Sequence, residues 1–231
     1  MTKLTISEKD SKGYQSGLIE NTTFLYTKIQ QAGNKYQSDE KEYTVDCVLN
    51  KASAKQFKKA FPKNSCKEHN NADFLNIFKV SEVPYPAQEE QYVVKFKCEE
   101  ALKGSFTDRN TGTQYEKGDP LPYSMRPKVF LPVEGEPNSV RDVTLTTQVG
   151  NGSKGHVSFK ILSNQYGTFP QLQAIKVEEL VEYEGGSGGS PFGTVIGGEP
   201  EVQPTPVEPK APSKIEENND DDDDDDNPFG E

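Results

Sequence analysis

The chain has little of what most catalytic or disulfide-bonded proteins require. Its 231 residues include no tryptophan, only two histidines and only three cysteines. Three cysteines cannot all pair within one chain, which favours a reducing compartment over a disulfide scaffold. There is no run of about 18 apolar residues and no long apolar stretch near the N-terminus, so we expect neither a membrane span nor a signal peptide.

The sequence motifs of several common enzyme chemistries are also missing. There is no Gly-x-Ser-x-Gly elbow, no P-loop and no dinucleotide-type glycine loop. The glycine-rich stretch from Gly150 to Lys154 is either a tight connection or a loop that offers backbone N–H groups to a phosphate. No pair of carboxylates stands out in a glycosidase-like setting. A small hydrolase or nuclease subunit would lack a catalytic set, so we predict a protein that is not an enzyme and uses no cofactor.

Metal binding is conceivable at one place in the sequence. Cys66 and His69 are separated by two residues, and Cys47 and Cys98 could complete a set of four ligands. The long gaps between them match no compact zinc pattern. Cys47 and Cys98 also lie in apolar strand patterns, where cysteine is usually a small core residue. We therefore predict no metal site, and binding at Cys66 and His69 stays an open alternative.

Charge is distributed unevenly along the chain. The formal net charge is −11, but residues 1–184 carry 24 basic and 24 acidic side chains and are formally neutral. Residues 185–231 carry 2 basic and 13 acidic side chains, which account for the whole excess. The sequence thus consists of a neutral body and a polyanionic tail.

The composition changes at Gly185, where a Gly-Gly-Ser-Gly-Gly-Ser stretch is followed by several prolines and then by seven consecutive aspartates. Like charges repel and no apolar surface offsets the entropy of ordering, so we predict that 185–231 is disordered. We divide the chain into a domain over 1–184, a flexible linker over 185–217 and an acidic tail over 218–231.

An aromatic residue lies near the tip of this tail. It could insert into a pocket of a partner protein while the acids engage basic residues around that pocket. Alternatively, the tail only keeps the protein in solution, and its aromatic residue is accidental. The candidate partner-binding residues of the tail are Asp220, Asp221, Asp222, Asp223, Asp224, Asp225, Asp226 and Phe229.

Alternating apolar residues indicate a body rich in β-structure. Segments of period two cover 24–29, 43–49, 92–98, 143–149 and 157–161, and a last strand is expected over about 172–183. A short helix is predicted over 54–61, capped by Ser53, and 70–80 could form a second. Segments 103–127 and 132–140 are expected to be long loops. We predict a mainly β fold, an antiparallel barrel of five or more strands with one inserted short helix.

Basic and aromatic residues are interleaved at several points of this body. A barrel with cations and exposed rings on one face suits single-stranded nucleic acid, because cations follow the phosphates and rings stack on the bases. Alternatively, the lysines are ordinary surface residues and the rings belong to the core. The candidate DNA-binding residues are Tyr26, Lys28, Lys35, Tyr36, Lys95, Lys97, Lys154, Tyr166 and Phe169.

Two features together resemble the single-stranded DNA-binding proteins of phage replication. The run Asp220–Asp226 followed by Asn227-Pro228-Phe229 is similar to the acidic, aromatic-tipped tail of that family. The body contains three short matching segments in the same order as in that family, before an aromatic loop and a last strand. They are Tyr43-x-Val45-Asp46, Lys95-Phe96-Lys97-Cys98 and Gly152-Ser153-Lys154.

The resemblance implies a five-stranded Greek-key OB-fold that coats single-stranded DNA, without strong sequence preference, during phage DNA replication, recombination and repair. In this interpretation the candidate lysines contact phosphates and the candidate rings stack on bases. The tail recruits phage or host replication proteins, such as a polymerase or a helicase-primase, and competes with DNA for the groove. We expect a monomer or homodimer in the host cytoplasm, away from membranes.

A different class of function remains open. The protein could be a polyanionic interaction protein or chaperone whose tail binds basic partners and whose body ignores DNA. A neutral body can bind DNA only if its charges are segregated, with basic and acidic side chains in different places, and the sequence does not show whether they are.

Overall fold

The computed structural model describes residues 1–183, so the predicted linker and acidic tail lie outside the described residues. Within 1–183 the chain forms eleven strands, two α-helices and a short 3₁₀ turn. In chain order these are β1 (Lys3–Ile6), β2 (Gln15–Asn34), β3 (Lys41–Leu49), α1 (Lys51–Ala60), β4 (Cys66–Asn70), α2 (Asn71–Phe78), β5 (Glu90–Glu99), β6 (Phe106–Thr107), β7 (Gln114–Tyr115), the turn (Tyr123–Met125), β8 (Lys128–Val133), β9 (Glu136–Asp142), β10 (Lys154–Asn164) and β11 (Gly167–Glu179). No helix of this part of the chain is long and apolar enough to cross a membrane.

Five of the strands close into a barrel. They follow one another in the order β5, β3, β2, β10 and β11, and all of these neighbours are antiparallel. The parallel pairing of Lys97 in β5 with Gln171 in β11 closes the ring. The long strand β2 makes this possible, because its first half pairs with β10 and its second half with β3. The predicted OB-fold, a mainly β five-stranded barrel, is confirmed.

The interior of the barrel is filled by the alternate residues of each strand. Phe96 of β5 and Phe159 of β10 lie ring against ring in its centre, with centroids 5.0 Å apart. Helix α1 covers one end of the barrel, since its Phe57 meets Phe96 at 5.8 Å. The alternation predicted over 92–98 is confirmed, because Tyr92, Val94, Phe96 and Cys98 are all buried and form the inner face of β5.

Helix α2 covers part of the outside of the barrel. Its Phe74 and Phe78 pack on the outward-facing Leu25, Val48 and Val93, one from each of β2, β3 and β5. This second apolar cluster protects one half of the outer surface of these three strands. In the described part of the chain, Lys28, Lys95 and Lys97 of these strands are exposed.

Helix α1 differs from its predicted form, and a second helix is present where the sequence allowed one. Helix α1 begins at Lys51 and not after Ser53, because Asn50 caps it and its side chain accepts a hydrogen bond from the Ser53 amide at 2.8 Å. The Ser53 hydroxyl donates instead to the carbonyl of Thr2. The described residues contain two helices where one was predicted, and the second, α2, lies in the segment 70–80 that the sequence marked as a possible helix.

The region between β5 and β10 was predicted least well. Residues 143–149 form no strand, because the amides of Thr146 and Thr147 turn back to the carbonyl of Val143. Residues 132–140 are not a loop but belong to the β8–β9 hairpin, whose turn contains Gly135 at φ 78°. The segment 103–127 carries the small β6–β7 hairpin. The last strand begins at Gly167, five residues earlier than expected, and ends at Glu179.

Candidate nucleic-acid interface

Beyond the apolar cluster under α2, the outer surface of the barrel carries a row of polar residues that crosses four strands. Lys28 in β2 pairs with Thr44 in β3, Thr44 pairs with Lys97 in β5, and Lys97 pairs with Gln171 in β11. Paired residues on neighbouring strands project from the same face and lie about 4.8 Å apart, so the row spans roughly 14 Å. Lys95, two residues before Lys97, projects from the same face. We call these five residues the strand face.

Two carboxylates lie beneath the lysines of this face. Asp46 is the β3 partner of Lys95, and their Oδ1 and Nζ atoms are 3.9 Å apart. Glu42 lies 3.8 Å from the amino group of Lys97. The two lysine side chains are 55% and 57% exposed, whereas both acidic side chains are 13% exposed. Positive charge is therefore outermost, and the negative charge is recessed below it.

Burial dominates the electrostatics of Asp46. It raises the pKa of this carboxyl above its ordinary value, and the attraction of Lys95, Lys67 and Lys28 only partly opposes the rise. Among the described residues, no donor makes a hydrogen bond to Asp46 Oδ1. The carboxylate thus depends on loose ionic contacts with the lysines above it.

Lys35 and Tyr36 begin the loop between β2 and β3. The amino group of Lys35 contacts Glu40 within this loop and Glu99 at the end of β5, and the hydrogen bond to Glu40 raises its pKa. Lys35 is therefore held at the base of the loop by two acids. Tyr36 projects freely, with 89% of its surface exposed.

Tyr166 and Phe169 lie at the hairpin that joins β10 to β11. Tyr166 occupies the two-residue turn and is 65% exposed, and its amide donates to the Asn164 side chain at 2.8 Å. Phe169 is half-buried, two residues before Gln171 on the same side of β11. The hairpin therefore carries one free ring at its turn and one partly packed ring near Gln171 of the strand face.

Tyr26, a candidate DNA-binding ring, also has a structural role. Its hydroxyl donates to the carbonyl of Ile77 at 2.6 Å, and its ring lies 5.4 Å from that of Phe78. It interrupts the pairing of β2 with β3, where its φ is +46°, and its amide donates to the side chain of Asn151. The part of the ring that remains exposed faces a cleft beside Lys28.

Lys154 lies outside the row. It starts β10 opposite Thr23 of β2, and its amino group bonds to Glu179 at 2.9 Å, which raises its pKa. The preceding glycine-rich loop is a tight connection. Its amides at Gly150 and Gly152 donate to the carbonyls of Val181 and Phe24, so they are already used within the fold. Of the two alternatives for this loop, the structure therefore favours the tight connection.

Several polar residues of this face were not recognised from the sequence. They are Thr44, Gln171 and the two acids Glu42 and Asp46. Glu42, Thr44 and Asp46 share the outward side of β3 by their period of two, which is the one signal that could have identified them.

The cysteines act as core residues. Cys47 and Cys98 are buried, and burial raises the pKa of both thiols, that of Cys98 to about 11. His69 of β4 packs edge-on against Phe78, with ring centroids 5.3 Å apart. Among residues 1–183, no three metal-ligating side chains come together.

Comparison with solved structures finds single-stranded DNA-binding proteins of phages. The gp2.5 protein of bacteriophage T7 is 17% identical, with a TM-score of 0.38, over 78% of this chain and 94% of its own. The protein of bacteriophage Enc34, in complex with single-stranded DNA, is 15% identical, with a TM-score of 0.35, over 79% and 99%. Neither a protein-family model nor a curated protein matches this chain. The solved structures named here thus come from the family that the sequence resembles.

Proposed function

We propose that the protein binds single-stranded DNA through the strand face, without strong preference for sequence. The observation that carries this proposal is the row from Lys28 to Gln171, on which lysines are outermost and their acidic partners are recessed. A formally neutral body can attract a polyanion in this way, because charge is segregated by depth. Phosphates would contact Lys28, Lys95 and Lys97.

The contacts that DNA would replace are weak. The lysine nitrogens lie 3.8 and 3.9 Å from Glu42 and Asp46, which is too long for a hydrogen bond. At this separation the lysines attract the two acids only by charge, and their own exposure to water weakens that attraction. An incoming phosphate therefore displaces little, and the amino groups can turn outward without disturbing the barrel.

Stacking would supply the remainder of the affinity. Tyr36 in the β2–β3 loop and Tyr166 at the β10–β11 turn are the most exposed candidate rings, and Phe169 extends the surface toward Gln171. Rings stack on any base, so binding of this kind tolerates sequence. Lys35 and Lys154 contribute less in this proposal, because each already makes a hydrogen bond to an acidic side chain.

The acidic tail has its own role in the proposal. Its aspartates would compete with DNA for the lysines of the strand face, and Asp220–Asp226 with Phe229 would recruit proteins of phage replication, recombination and repair when DNA displaces them. Such a protein would act in the host cytoplasm.

A truncation ending at Tyr183 tests the proposal. We expect the truncated protein to bind a fluorescent oligo-dT, measured by anisotropy at low salt, and to bind it more tightly than the full chain. The gain has a physical cause, since the truncation removes the 14 acidic residues of 184–231 with only 2 basic ones. A truncated protein that binds no oligo-dT at low salt would overturn the proposal and favour the polyanionic chaperone.

A further inference from the structure

We propose that the cleft beside Lys28 receives one unstacked base of the bound strand. The inference rests on the proposed function and adds a base-binding site to it. The cleft has a volume of about 330 Å³, at the small end of the range for ligand pockets. This size suits a single nucleotide-sized group.

An interruption in β2 opens the cleft. The pairing of β2 with β3 breaks between Leu25 and Lys28, and breaks again between Lys28 and Gly33. The strand thereby separates from β3 over the residues that form one wall. The opposite wall is the segment 147–149, which the isolated bridge between Val149 and Glu182 brings next to Tyr183.

The chemistry of the lining fits a base. The lining includes Ile29, Val129 and Val149, which are buried and supply its apolar part. The exposed amides of Gln31 and Gln148 lie at the sides and can both donate and accept hydrogen bonds. Base edges require this combination, since each carries donors and acceptors around an apolar ring.

A buried hydroxyl strengthens the assignment. Thr27 is one of the lining residues, and its Oγ1 atom is buried without a hydrogen-bond partner within residues 1–183. An unpaired buried hydroxyl is costly, and the edge of a base would supply its partner. A purely apolar side chain of another protein would leave both Thr27 and the glutamine amides unpaired, so it fits less well.

Two tyrosines flank the mouth of the cleft. Tyr26 and Tyr183 are both exposed, and the hydrogen bond of Tyr26 to Ile77 fixes its ring in place. Lys28 belongs to both the strand face and the rim of the cleft. A phosphate held by Lys28 would therefore leave its attached base close to these rings.

Photochemical crosslinking of the full-length protein locates the base directly. The protein is mixed at low salt with an oligo-dT that carries one 5-iododeoxyuridine, and the complex is irradiated. The crosslinked peptides are then identified by mass spectrometry. We expect crosslinks at Tyr26 or Tyr183. If the oligonucleotide binds but the crosslinks fall only on Tyr36, Tyr166 or Phe169, the cleft is not a base site and the proposed function survives. If no oligonucleotide binds, the proposed function fails and the cleft assignment fails with it.

A matched pair of variants measures the contribution of the cleft. Tyr183→Ala removes an exposed ring at its mouth, and we expect oligo-dT binding to weaken at least about fivefold. Tyr14→Ala is the control, because Tyr14 is also an exposed tyrosine but does not line the cleft, and we expect no change in binding. Equal affinities of the two variants would overturn the assignment.

Discussion

The amino group of Lys95 lies 3.9 Å from the recessed carboxylate of Asp46, and the lysine is the more exposed partner by 55% to 13%. The pair is directly opposite across β3 and β5. In the proposed interface, such a pair would let the face attract anions although the body is formally neutral. Asp46 is largely buried, whereas the exposed amino group of Lys95 can also reach an anion in solution.

The first prediction concerns the effect of Asp46 on stability. Burial raises its pKa in the folded protein above the value of about 3.9 expected when the chain is unfolded. The folded state therefore binds this proton more tightly, so the contribution of Asp46 to stability increases as pH falls through the folded-state pKa. At pH 7 the ionised carboxylate is a cost, and we expect Asp46→Asn to raise the urea midpoint.

The pH dependence of the difference in stability between Asp46→Asn and the wild type is the internal control. Below the unfolded-state pKa both states protonate Asp46, so the advantage of the asparagine should shrink as pH falls toward about 3.9. Parallel urea titrations of the wild type and the variant at several pH values measure it. An asparagine variant that is less stable at pH 7 would show that the lysines above Asp46 outweigh its desolvation.

The second prediction concerns the acid beneath Lys97. Glu42→Gln removes the anion that competes with DNA for this lysine, so we expect binding of single-stranded DNA to strengthen by up to about fivefold. Glu20→Gln is the matched control, because Glu20 pairs with Lys3 on β1 at a similar distance of 3.6 Å. Anisotropy titrations of both variants at one salt concentration should separate them, and an equal effect would argue against a role for Glu42.

The strands of the barrel were predictable because each has one buried face. The alternation over 92–98 and 157–161 reports this burial directly, and both segments lie within β5 and β10. The segment 143–149 has the same alternation but forms a turn, because Thr146 and Thr147 bond back to Val143. Alternation records a pattern of side chains, and local backbone hydrogen bonds can override it.

The candidate site was only partly predictable. Lys28, Lys95 and Lys97 meet because of strand register, which a period of two cannot provide across different strands. Lys154 was expected with them, but the fold places it at the start of β10 with Glu179. The recessed acids were missed for the same reason, since only the pairing of β3 with β5 puts them under lysines.

The third prediction concerns salt dependence. If Lys97 contacts a phosphate, Lys97→Ala should reduce the slope of log K against log salt by about 0.7. Lys3→Ala is the control, because Lys3 is also an ion-paired strand lysine but lies on β1, outside the strand face. Titrations at four or more salt concentrations give both slopes. A slope that is unchanged by Lys97→Ala would remove this residue from the interface.

The fourth prediction separates stacking from charge. Tyr166→Ala should weaken binding at least about fivefold, since one stacked base is worth about 1–3 kcal/mol, and should leave the salt slope unchanged. The turn itself should persist, because the Asn164 side chain bonds to the backbone amide of residue 166 and not to its ring. Tyr14→Ala serves as the control for loss of an exposed tyrosine. A weaker salt slope for Tyr166→Ala would contradict the assignment.

The fifth prediction concerns the seam between β10 and β11 that positions the last two strands of the barrel. A Cβ atom at Gly155 would lie only 1.9 Å from the backbone carbonyl oxygen of Lys176, so Gly155→Ala forces the two strands apart. We expect a loss of about 2–3 kcal/mol in the free energy of unfolding, measured by urea denaturation. Gly104→Ala is the control, because nothing lies within 4 Å of its Cβ position, and its stability should change by less than about 0.5 kcal/mol. Equal stability of the two variants would mean that the seam between β10 and β11 can relax without cost.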